Sequence, residues 1–227
     1  MSRFGLPQES DAYRAARDEL AQAEIALREQ REKVAALRRE LPLDTALADD
    51  PLLLEGPRDL AAGDDPVRQV RLSELLAESE KPLVLLHFMY GKAQSEPCPM
   101  CTLWADGYDG IVPHLEQRVN FAVFVAGELA PFRRYARERG WRHLRILSAG
   151  ASTLKGDLGF EDAAGAQEPG VSVFARGGDG ALRHFYSGGA IMDDGGYRGM
   201  DLLSPLWSFL DVTPQGRGDF MPRRSYE

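Results

Sequence analysis

Cysteine, positive charge and long apolar runs are all scarce in this chain of 227 residues. The two cysteines are too few for the disulfide framework of a small secreted domain. No stretch approaches the roughly 18 apolar residues of a membrane span, and residues 1–7 lack the apolar segment of a signal peptide. We therefore expect a cytoplasmic protein with no membrane partner.

Basic residues are outnumbered by acidic ones, 27 against 35, which gives a formal net charge of −8. Binding to a phosphate backbone needs a basic surface, so we expect no nucleic-acid partner. The length allows one ordinary domain plus an appendage, and the hydrophobic fraction of 44% is enough for a sizeable core. The abundance of alanine, arginine, glycine and aspartate suggests a bacterial origin.

The two cysteines lie three positions apart, in the motif Cys98-Pro99-Met100-Cys101. At the start of a helix, the first sulfur of such a motif lies near unpaired N–H groups that favour a thiolate. The thiolate is the species that attacks a disulfide or a peroxide. Cys98 is therefore the candidate nucleophile, and Cys101 is the candidate resolving thiol that attacks the mixed disulfide.

Apolar segments flank this motif on both sides. Residues 82–90 form a near-continuous apolar run, which predicts a buried strand, and residues 91–97 form a polar loop. From Cys98 onward the apolar residues recur at helical spacing, and residues 119–126 predict a second strand. This strand–motif–helix–strand order is typical of thioredoxin-like redox chemistry.

Two other interpretations of the cysteine pair stay open. The pair could be buried and chemically inert, or it could be half of a zinc site. A closed zinc site needs four ligands, usually Cys or His. None of the four histidines shows ligand spacing to another one; they are His87, His114, His143 and His184. We therefore expect no metal and no organic cofactor.

Residues 10–41 carry a heptad pattern that predicts one long helix, which Ser10 or Asp11 could cap and Pro42 ends. The two sets of seam positions are Tyr13, Leu20, Leu27, Val34 and Leu41, and Ala16, Ala23, Gln30 and Leu37. Such a helix could pair with a second copy in a homodimer, or it could pack along its own domain.

The sequence predicts three parts: a heptad helix over 1–42, a linker rich in Pro, Asp and Gly over 43–66, and a domain over 67–227. Within the linker, 52–55 is a candidate strand that pairs with 67–70. After the second central strand we expect, in order, a helix at 131–139, a strand at 145–147, a long loop at 148–168, a strand at 169–175, a turn at 177–180, a strand at 181–186, a Gly-rich loop at 188–199 and a helix at 200–210. This order predicts an α/β, thioredoxin-like fold, with a central mixed sheet flanked by helices.

Several segments resemble the DUF899 group of thioredoxin-like proteins. They are 87–91, the Cys-Pro-Met-Cys motif, 104–110, 113–115, 139–141, 169–174, 199–203 and 210–214. The resemblance covers nearly the whole chain and implies a dithiol–disulfide oxidoreductase. Over 142–158 the sequence departs from the pattern of the group.

The thioredoxin-like fold implies roles for further residues. Pro169, just before a strand, is the candidate cis-proline, with a trans-proline as the alternative. Glu168, Pro169 and Gly170 are then candidate substrate-binding residues, because that bend offers backbone groups to the substrate. His87 stands where thioredoxin has a buried carboxylate, which makes it a candidate proton relay. A core histidine held by the backbone is the alternative.

A peroxidase interpretation rests on Ser95, three residues before Cys98. Peroxiredoxins carry Thr or Ser at this spacing, preceded by a proline that is Gly91 here. Cys98 would then be oxidised to a sulfenic acid with which Cys101 condenses. Such a site also needs an arginine, for which the candidates are Arg145, Arg176 and Arg183.

Three functions follow. The first is a thiol–disulfide oxidoreductase that acts on a protein or small-molecule thiol or disulfide. The second is a peroxiredoxin-like thiol peroxidase. The third is a redox-gated or redox-inert interaction protein that dimerises through residues 10–41.

Overall fold

The computed structural model describes residues 7–76, 81–191, 199–200, 203–204, 210–213, 219 and 221–225. The chain divides into two compact units, Met1–Pro42 and Leu43–Glu227. None of the described helices combines the length and apolarity that a membrane crossing requires. The final helix predicted at 200–210 lies mostly outside the described residues.

The first unit contains helix α1, Asp11–Arg39. Ser10 caps it, since its side-chain oxygen accepts a hydrogen bond from the N–H of Tyr13 at 3.2 Å. No residue of α1 is buried. The seam residues Leu20 and Leu37 are 56% and 58% exposed. The predicted long helix is confirmed, and its apolar seam is left open to solvent.

A mixed sheet of eight strands forms the frame of the second unit. In chain order the strands are β1 Thr45–Ala46, β2 Leu52–Glu55, β3 Arg68–Arg71, β4 Leu83–His87, β5 Asn120–Val125, β6 Ile146–Ser148, β7 Gly170–Arg176 and β8 Leu182–Gly189. In space their order is β1-β8-β7-β4-β5-β6-β2-β3. The central strands β4 and β5 are the two that flank the cysteine motif in sequence.

Residues 43–66 contribute two strands, β1 and β2, to this sheet, so their prediction as a linker is wrong. β1 pairs with β8 at one edge, and β2 pairs with both β3 and β6 near the other edge. Leu53 of β2 lies opposite Val70, and both side chains are buried. Burial of these apolar side chains overrides the Pro- and Gly-rich composition on which the linker was predicted. The predicted pairing of 52–55 with the next strand is confirmed, although that strand is Arg68–Arg71 and not 67–70.

Among the described residues there are four further α-helices, α2 Pro99–Asp109, α3 Val112–Leu115, α4 Leu129–Arg139 and α5 Leu154–Asp157, and two short 3-10 helices, Leu60–Ala62 and Leu72–Leu76. α2 and α3 connect β4 to β5, which pair in parallel, while β7 lies antiparallel on the other side of β4. β7 and β8 form the predicted hairpin. This arrangement is a thioredoxin-like fold, as the sequence predicted. α5 lies in the stretch 148–168 that was predicted to be a loop.

Apolar side chains cover both faces of the sheet, in two clusters. One cluster contains Phe88, Trp104, Phe132 and both cysteines. The other contains Leu83, Leu85, Phe124 and Leu154. Since successive side chains of a strand point to opposite faces, β4 contributes to both clusters. The cysteine motif therefore lies on one face of the sheet and α5 on the other.

Candidate active site: the Cys98–Cys101 dithiol

Cys98 is the residue that caps helix α2. Its backbone is extended, with φ −64° and ψ 128°, and Pro99 occupies the first helical turn, where its fixed φ suits the helix. The N–H of Cys98 donates to the carbonyl of Met89 at 3.2 Å, and its own carbonyl accepts from the N–H and the hydroxyl of Thr102, both at 2.9 Å. The end of β4 and the first turn of α2 therefore hold the first sulfur in place.

The two thiols differ in accessibility and acidity. Both are free; Cys98 is 6% exposed and Cys101 is fully buried. A hydrogen bond from the Cys101 thiol lowers the pKa of Cys98 to about 6 against the effect of burial, aided by the N–H groups of Cys101 and Met100. Burial raises the pKa of Cys101 well above its usual value, and the adjacent Cys98 sulfur raises it further. At neutral pH the pair is therefore a thiolate at Cys98 next to a thiol at Cys101.

Lys155 is a site residue that the sequence analysis missed. Its side chain, on α5, is 1% exposed. Its Nζ donates to the carbonyl of Phe88 at 2.8 Å and to Oε1 of Gln167 at 2.7 Å. Burial lowers its pKa to about 8. The positive charge of Lys155 also lowers the pKa of Cys101, so this lysine is electrostatically part of the dithiol site.

Gln167 connects this lysine to the loop before the cysteines. Its Oε1 accepts from the N–H of Tyr90 at 3.2 Å as well as from Lys155, and its Nε2 donates to the carbonyl of Gly91 at 2.9 Å. A buried amide that uses both its ends in this way fixes the backbone at the end of β4. Neither Lys155 nor Gln167 had a sequence signal, because both lie in a stretch without hydrophobic periodicity.

Gly91 lets the same loop pass close to the chain after β5. Its φ is +103°, a value that proline cannot adopt. A side chain there would lie 2.0 Å from the Cα of Gly127, and the N–H of Gly127 donates to the carbonyl of Tyr90 at 2.9 Å. This crowding explains why the chain has glycine where the peroxiredoxin pattern has proline.

His87 lies on the opposite face of the sheet from the cysteines. Its ring stacks on Phe160, with centroids 3.8 Å apart, and its Nε2 is 2.8 Å from the Ser172 hydroxyl. Nδ1 has no hydrogen-bond partner among the described residues. Burial, with the charge of Lys155, holds its pKa well below the usual value, so the ring is neutral. No described hydrogen bond joins His87 to either cysteine, which favours the core histidine over the proton relay.

The segment Glu168, Pro169 and Gly170 leads directly into β7, which begins at Gly170. The one cis peptide bond among the described residues precedes Pro66, so Pro169 is trans and the cis-proline prediction is wrong. The N–H of Glu168 donates to Phe160 and the carbonyl of Pro169 accepts from Ala190. The Glu168 N–H and the Pro169 carbonyl therefore already have partners within the chain, and Gly170 pairs with His87 at the end of β4.

The residues proposed for peroxidase chemistry are not assembled around Cys98. Ser95 is exposed, and no hydrogen bond described in the loop 91–97 joins it to that cysteine. The three candidate arginines have other partners: Arg145 binds Glu55, Arg176 binds the carbonyls of Gly180 and Ser73, and Arg183 binds Asp179. The acidity of Cys98 therefore comes from Cys101 and backbone N–H groups.

The described part of the chain holds no group of three or more His, Cys, Asp or Glu side chains arranged to bind a metal ion.

The sequence profile of a family described as a bacterial protein of unknown function, DUF899, matches residues 6–226. The chain belongs to the DUF899 family. No curated protein matches the sequence. The cysteine motif and the buried lysine described above both lie within the residues that match the family.

Solved structures similar to this DUF899 chain include redox proteins at low identity. Peroxiredoxin Q of Xanthomonas campestris is 16% identical, with 75% of this chain and 96% of that chain covered and a TM-score of 0.45. The mitochondrial 2-Cys peroxiredoxin of Plasmodium falciparum is 14% identical, with 78% and 99% covered and a TM-score of 0.46. An exposed lipoprotein thioredoxin of Streptococcus pneumoniae is 14% identical, with 64% and 92% covered and a TM-score of 0.41. Similarities this distant say nothing about activity.

Proposed function

We infer that the protein is a thiol–disulfide oxidoreductase in which Cys98 is the nucleophile and Cys101 the resolving thiol. The observation that carries this is the asymmetry of the pair: Cys98 has a pKa of about 6 and is slightly exposed, whereas Cys101 is fully buried with a strongly raised pKa. A thiolate that is present at neutral pH can attack a substrate disulfide. The adjacent protonated cysteine can then resolve the mixed disulfide. The substrate is a disulfide of a protein or a small molecule.

The reaction needs no organic cofactor. The Cys98 thiolate attacks a substrate disulfide, forms a Cys98–substrate mixed disulfide and releases one substrate thiolate. Cys101 then attacks Cys98, which forms the Cys98–Cys101 disulfide, breaks the mixed disulfide and releases the second substrate thiol. Two electrons pass from the dithiol to the substrate, and an external thiol reductant restores the starting state.

A peroxide is the alternative oxidant for the same dithiol. The partners of Arg145, Arg176 and Arg183 favour a disulfide, because these side chains are held away from a role in peroxide binding. The two functions share the Cys98–Cys101 disulfide as their product and differ in the intermediate at Cys98, which is a mixed disulfide in one case and a sulfenic acid in the other.

The deciding experiment mixes the reduced protein rapidly with a small disulfide or, separately, with hydrogen peroxide. The loss of thiols is followed by mass spectrometry, with Cys98→Ser and Cys101→Ser as controls. We expect fast reaction with the disulfide, a trapped mixed disulfide in Cys101→Ser and no reaction in Cys98→Ser. Faster reaction with peroxide through a sulfenic acid would support the peroxidase instead. Slow reaction with both would overturn the redox proposal in favour of the interaction protein.

The pH dependence of Cys98 gives a second test. Only the thiolate alkylates rapidly, so the rate with iodoacetamide should rise as the pH increases through about 6 and then level off. Since the Cys101 thiol is the largest cause of that low pKa, Cys101→Ala should move the midpoint to higher pH. A midpoint near 9, the ordinary value, in the unaltered protein would contradict the proposed nucleophile.

A further inference from the structure

A row of four polar side chains crosses the sheet on the face that carries α5. Nε2 of His87 on β4 lies 2.8 Å from the hydroxyl of Ser172 on β7, and that hydroxyl lies 2.7 Å from the hydroxyl of Ser187 on β8. The Ser187 oxygen in turn lies 2.8 Å from Nε2 of His184. His87 and Ser172 are fully buried, whereas Ser187 and His184 are partly exposed. The polar row therefore leads from the interior of the sheet towards solvent.

A bulge in β8 brings His184 and Ser187 to the same face of the sheet. In a regular strand, residues three positions apart point to opposite faces. Residues 173–174 of β7 pair with Tyr186 and His184 of β8, and the described pairing skips Phe185. This extra residue shifts the alternation of β8 by one position, which is how a bulge redirects a side chain. The histidine and the serine can therefore form a hydrogen bond on the α5 face.

His184 and Ser187 line a cavity of about 360 Å³ at the edge of the sheet. The segment 45–49, which contains β1, and residues of α5 with its C-terminal cap supply the other walls. Much of this lining is apolar, since it includes Leu47, Leu154 and Leu158. A concave site of this size, with apolar walls and a few polar groups at one place, is typical of small-molecule binding sites.

The described charged residues that line this cavity are both acidic. Asp49 and Asp157 are exposed, and no lysine or arginine is among the described lining residues. Asp157 accepts a hydrogen bond from the Thr153 hydroxyl at 2.7 Å, and the Asp49 carboxylate makes no described hydrogen bond or ion pair. Burial holds the pKa of His184 below its usual value, so its ring is neutral at pH 7. The cavity therefore favours a cation over an anion.

The Ser187 hydroxyl can accept one further hydrogen bond. A hydroxyl group has one proton and two lone pairs. In a row in which each hydroxyl donates to one neighbour and accepts from the other, Ser187 uses its proton and one lone pair on Ser172 and His184. The remaining lone pair suits a ligand that donates a hydrogen bond. An ammonium group combines such a donor with the positive charge that the carboxylates favour.

We propose that this cavity is a binding site for a small primary amine with an aliphatic body. The ammonium group donates to the Ser187 hydroxyl and is attracted by the carboxylates of Asp49 and Asp157, while the aliphatic body packs against the leucines of the wall. The proposal also gives a role to the polar row, whose hydroxyls are costly to bury beside an apolar cluster. The site lies on the face opposite the cysteines, so it does not depend on the proposed function.

The first test measures the binding of hexylamine to the full chain by isothermal titration calorimetry at pH 7 and low salt. We expect one site with a dissociation constant below about 1 mM. Hexanol and hexanoate have the same aliphatic body without the positive charge, and each should bind at least about tenfold more weakly. Cys98→Ser should bind hexylamine as the unaltered protein does. Equal binding of hexanol and hexylamine would overturn the proposal, because an apolar cavity alone explains that result.

Substitutions at the cavity test the assigned contacts. Ser187→Ala should weaken hexylamine binding about tenfold, because it removes an acceptor for a charged donor. Asp157→Asn should weaken it about threefold, as expected for an exposed charge, and serves if Ser187→Ala folds poorly. The control is Glu138→Gln, which removes an exposed carboxylate from α4, a helix packed on the cysteine face. Unchanged affinity in Ser187→Ala and Asp157→Asn would overturn the assigned site.

Nuclear magnetic resonance of the four histidine rings locates the ligand independently of its affinity. Hexylamine should shift the ring signals of His184, which contacts Ser187, and of His87, which the polar row connects to it. The signals of the exposed His114 and His143, which do not line the cavity, should stay in place. Bound hexylamine that leaves the His184 signals unchanged would show that the amine binds elsewhere, and the proposal would be wrong.

Discussion

At the scale of single residues, the chemistry depends on small differences between neighbours. Cys98 and Cys101 share one helical turn, yet one is stabilised as a thiolate and the other as a thiol. The difference comes from their order, because the Cys98 sulfur accepts hydrogen bonds from the Cys101 thiol and from the free N–H groups of the helix start, whereas Cys101 is buried behind it. Lys155 and Gln167 form hydrogen bonds with the backbone between the end of β4 and the cysteines, and so hold that backbone in place.

Gly91 provides a residue-scale prediction. Its positive φ and the 2.0 Å approach to Gly127 leave no room for a side chain, and the neighbouring atoms are backbone. Gly91→Ala should therefore lower the free energy of unfolding by about 3 kcal/mol. Denaturant unfolding measures this change, and Gly107→Ala is the matched control.

Gly107 lies inside α2, and a side chain there would meet no atom within 4 Å. Its replacement by alanine should leave the stability unchanged or raise it by up to about 1 kcal/mol, because alanine favours helix. If both variants had the same free energy of unfolding, the close approach of Gly91 to Gly127 would not exclude a side chain at this position.

At the scale of elements, an ionic cluster joins three strands at one side of the sheet. Glu55 of β2 has a buried side chain that accepts from Arg145, just before β6, at 2.6 and 3.0 Å and from Arg68 of β3 at 2.8 Å. Burial opposes its charge, but hydrogen bonds and the charges of Arg145 and Arg68 outweigh burial, so the pKa of Glu55 lies below its ordinary value of 4.5. The cluster therefore joins β2 and β3 to the start of β6.

The element-scale prediction concerns this carboxylate. Glu55→Gln should lower the free energy of unfolding by about 2 kcal/mol at pH 7. Because the pKa is lowered on folding, this stabilisation is present above pH 4.5 and is lost as the pH falls through the lower pKa of the folded state. The difference between Glu55→Gln and the unaltered protein should therefore shrink below about pH 4.

Thermal or urea unfolding at pH 7 and at pH 3 measures both values. Glu116→Gln is the control, since Glu116 pairs with the exposed Arg58 and such surface pairs contribute little. An equally large loss of stability in both variants would show that Glu55 has no special role.

At the scale of the whole molecule, the two units differ in what they bury. The second unit encloses two apolar clusters, whereas α1 buries none of its residues. A heptad seam with leucines more than half exposed is typical of a helix that pairs with another. We propose that two copies pair through residues 10–41.

Deletion of residues 1–42 tests this proposal together with the third function. Light scattering after size exclusion should show a dimer for the full chain and a monomer for the deletion variant, while the alkylation rate of Cys98 should change by less than about twofold. The double change Leu20→Glu and Leu27→Glu should also give a monomer, whereas Glu29→Lys, outside the seam, should not. A monomeric full chain would exclude the dimer.

The sequence determined most of the elements around the cysteine motif and their order, but neither β1 nor α5. The apolar run before Cys98, the heptads of α1 and the glycine turn before β8 are local patterns, and each forms the element it predicted. The strand that precedes the cysteines is central because its apolar run is too long to face water. The candidate nucleophile and resolving thiol followed from their spacing alone.

The tertiary structure decided what surrounds the dithiol, because those contacts join residues that are distant in the chain. Lys155 lies 67 positions from the carbonyl it binds, and Gln167 lies 77 positions from Tyr90. No local period marks either residue. His87 and Pro169 show the converse, because a position in a motif suggested a role for each. Strand alternation places His87 on the far face of the sheet, and the peptide bond before Pro169 is trans. Local patterns predict the secondary-structure elements, whereas burial and long-range hydrogen bonds determine which residues surround the dithiol.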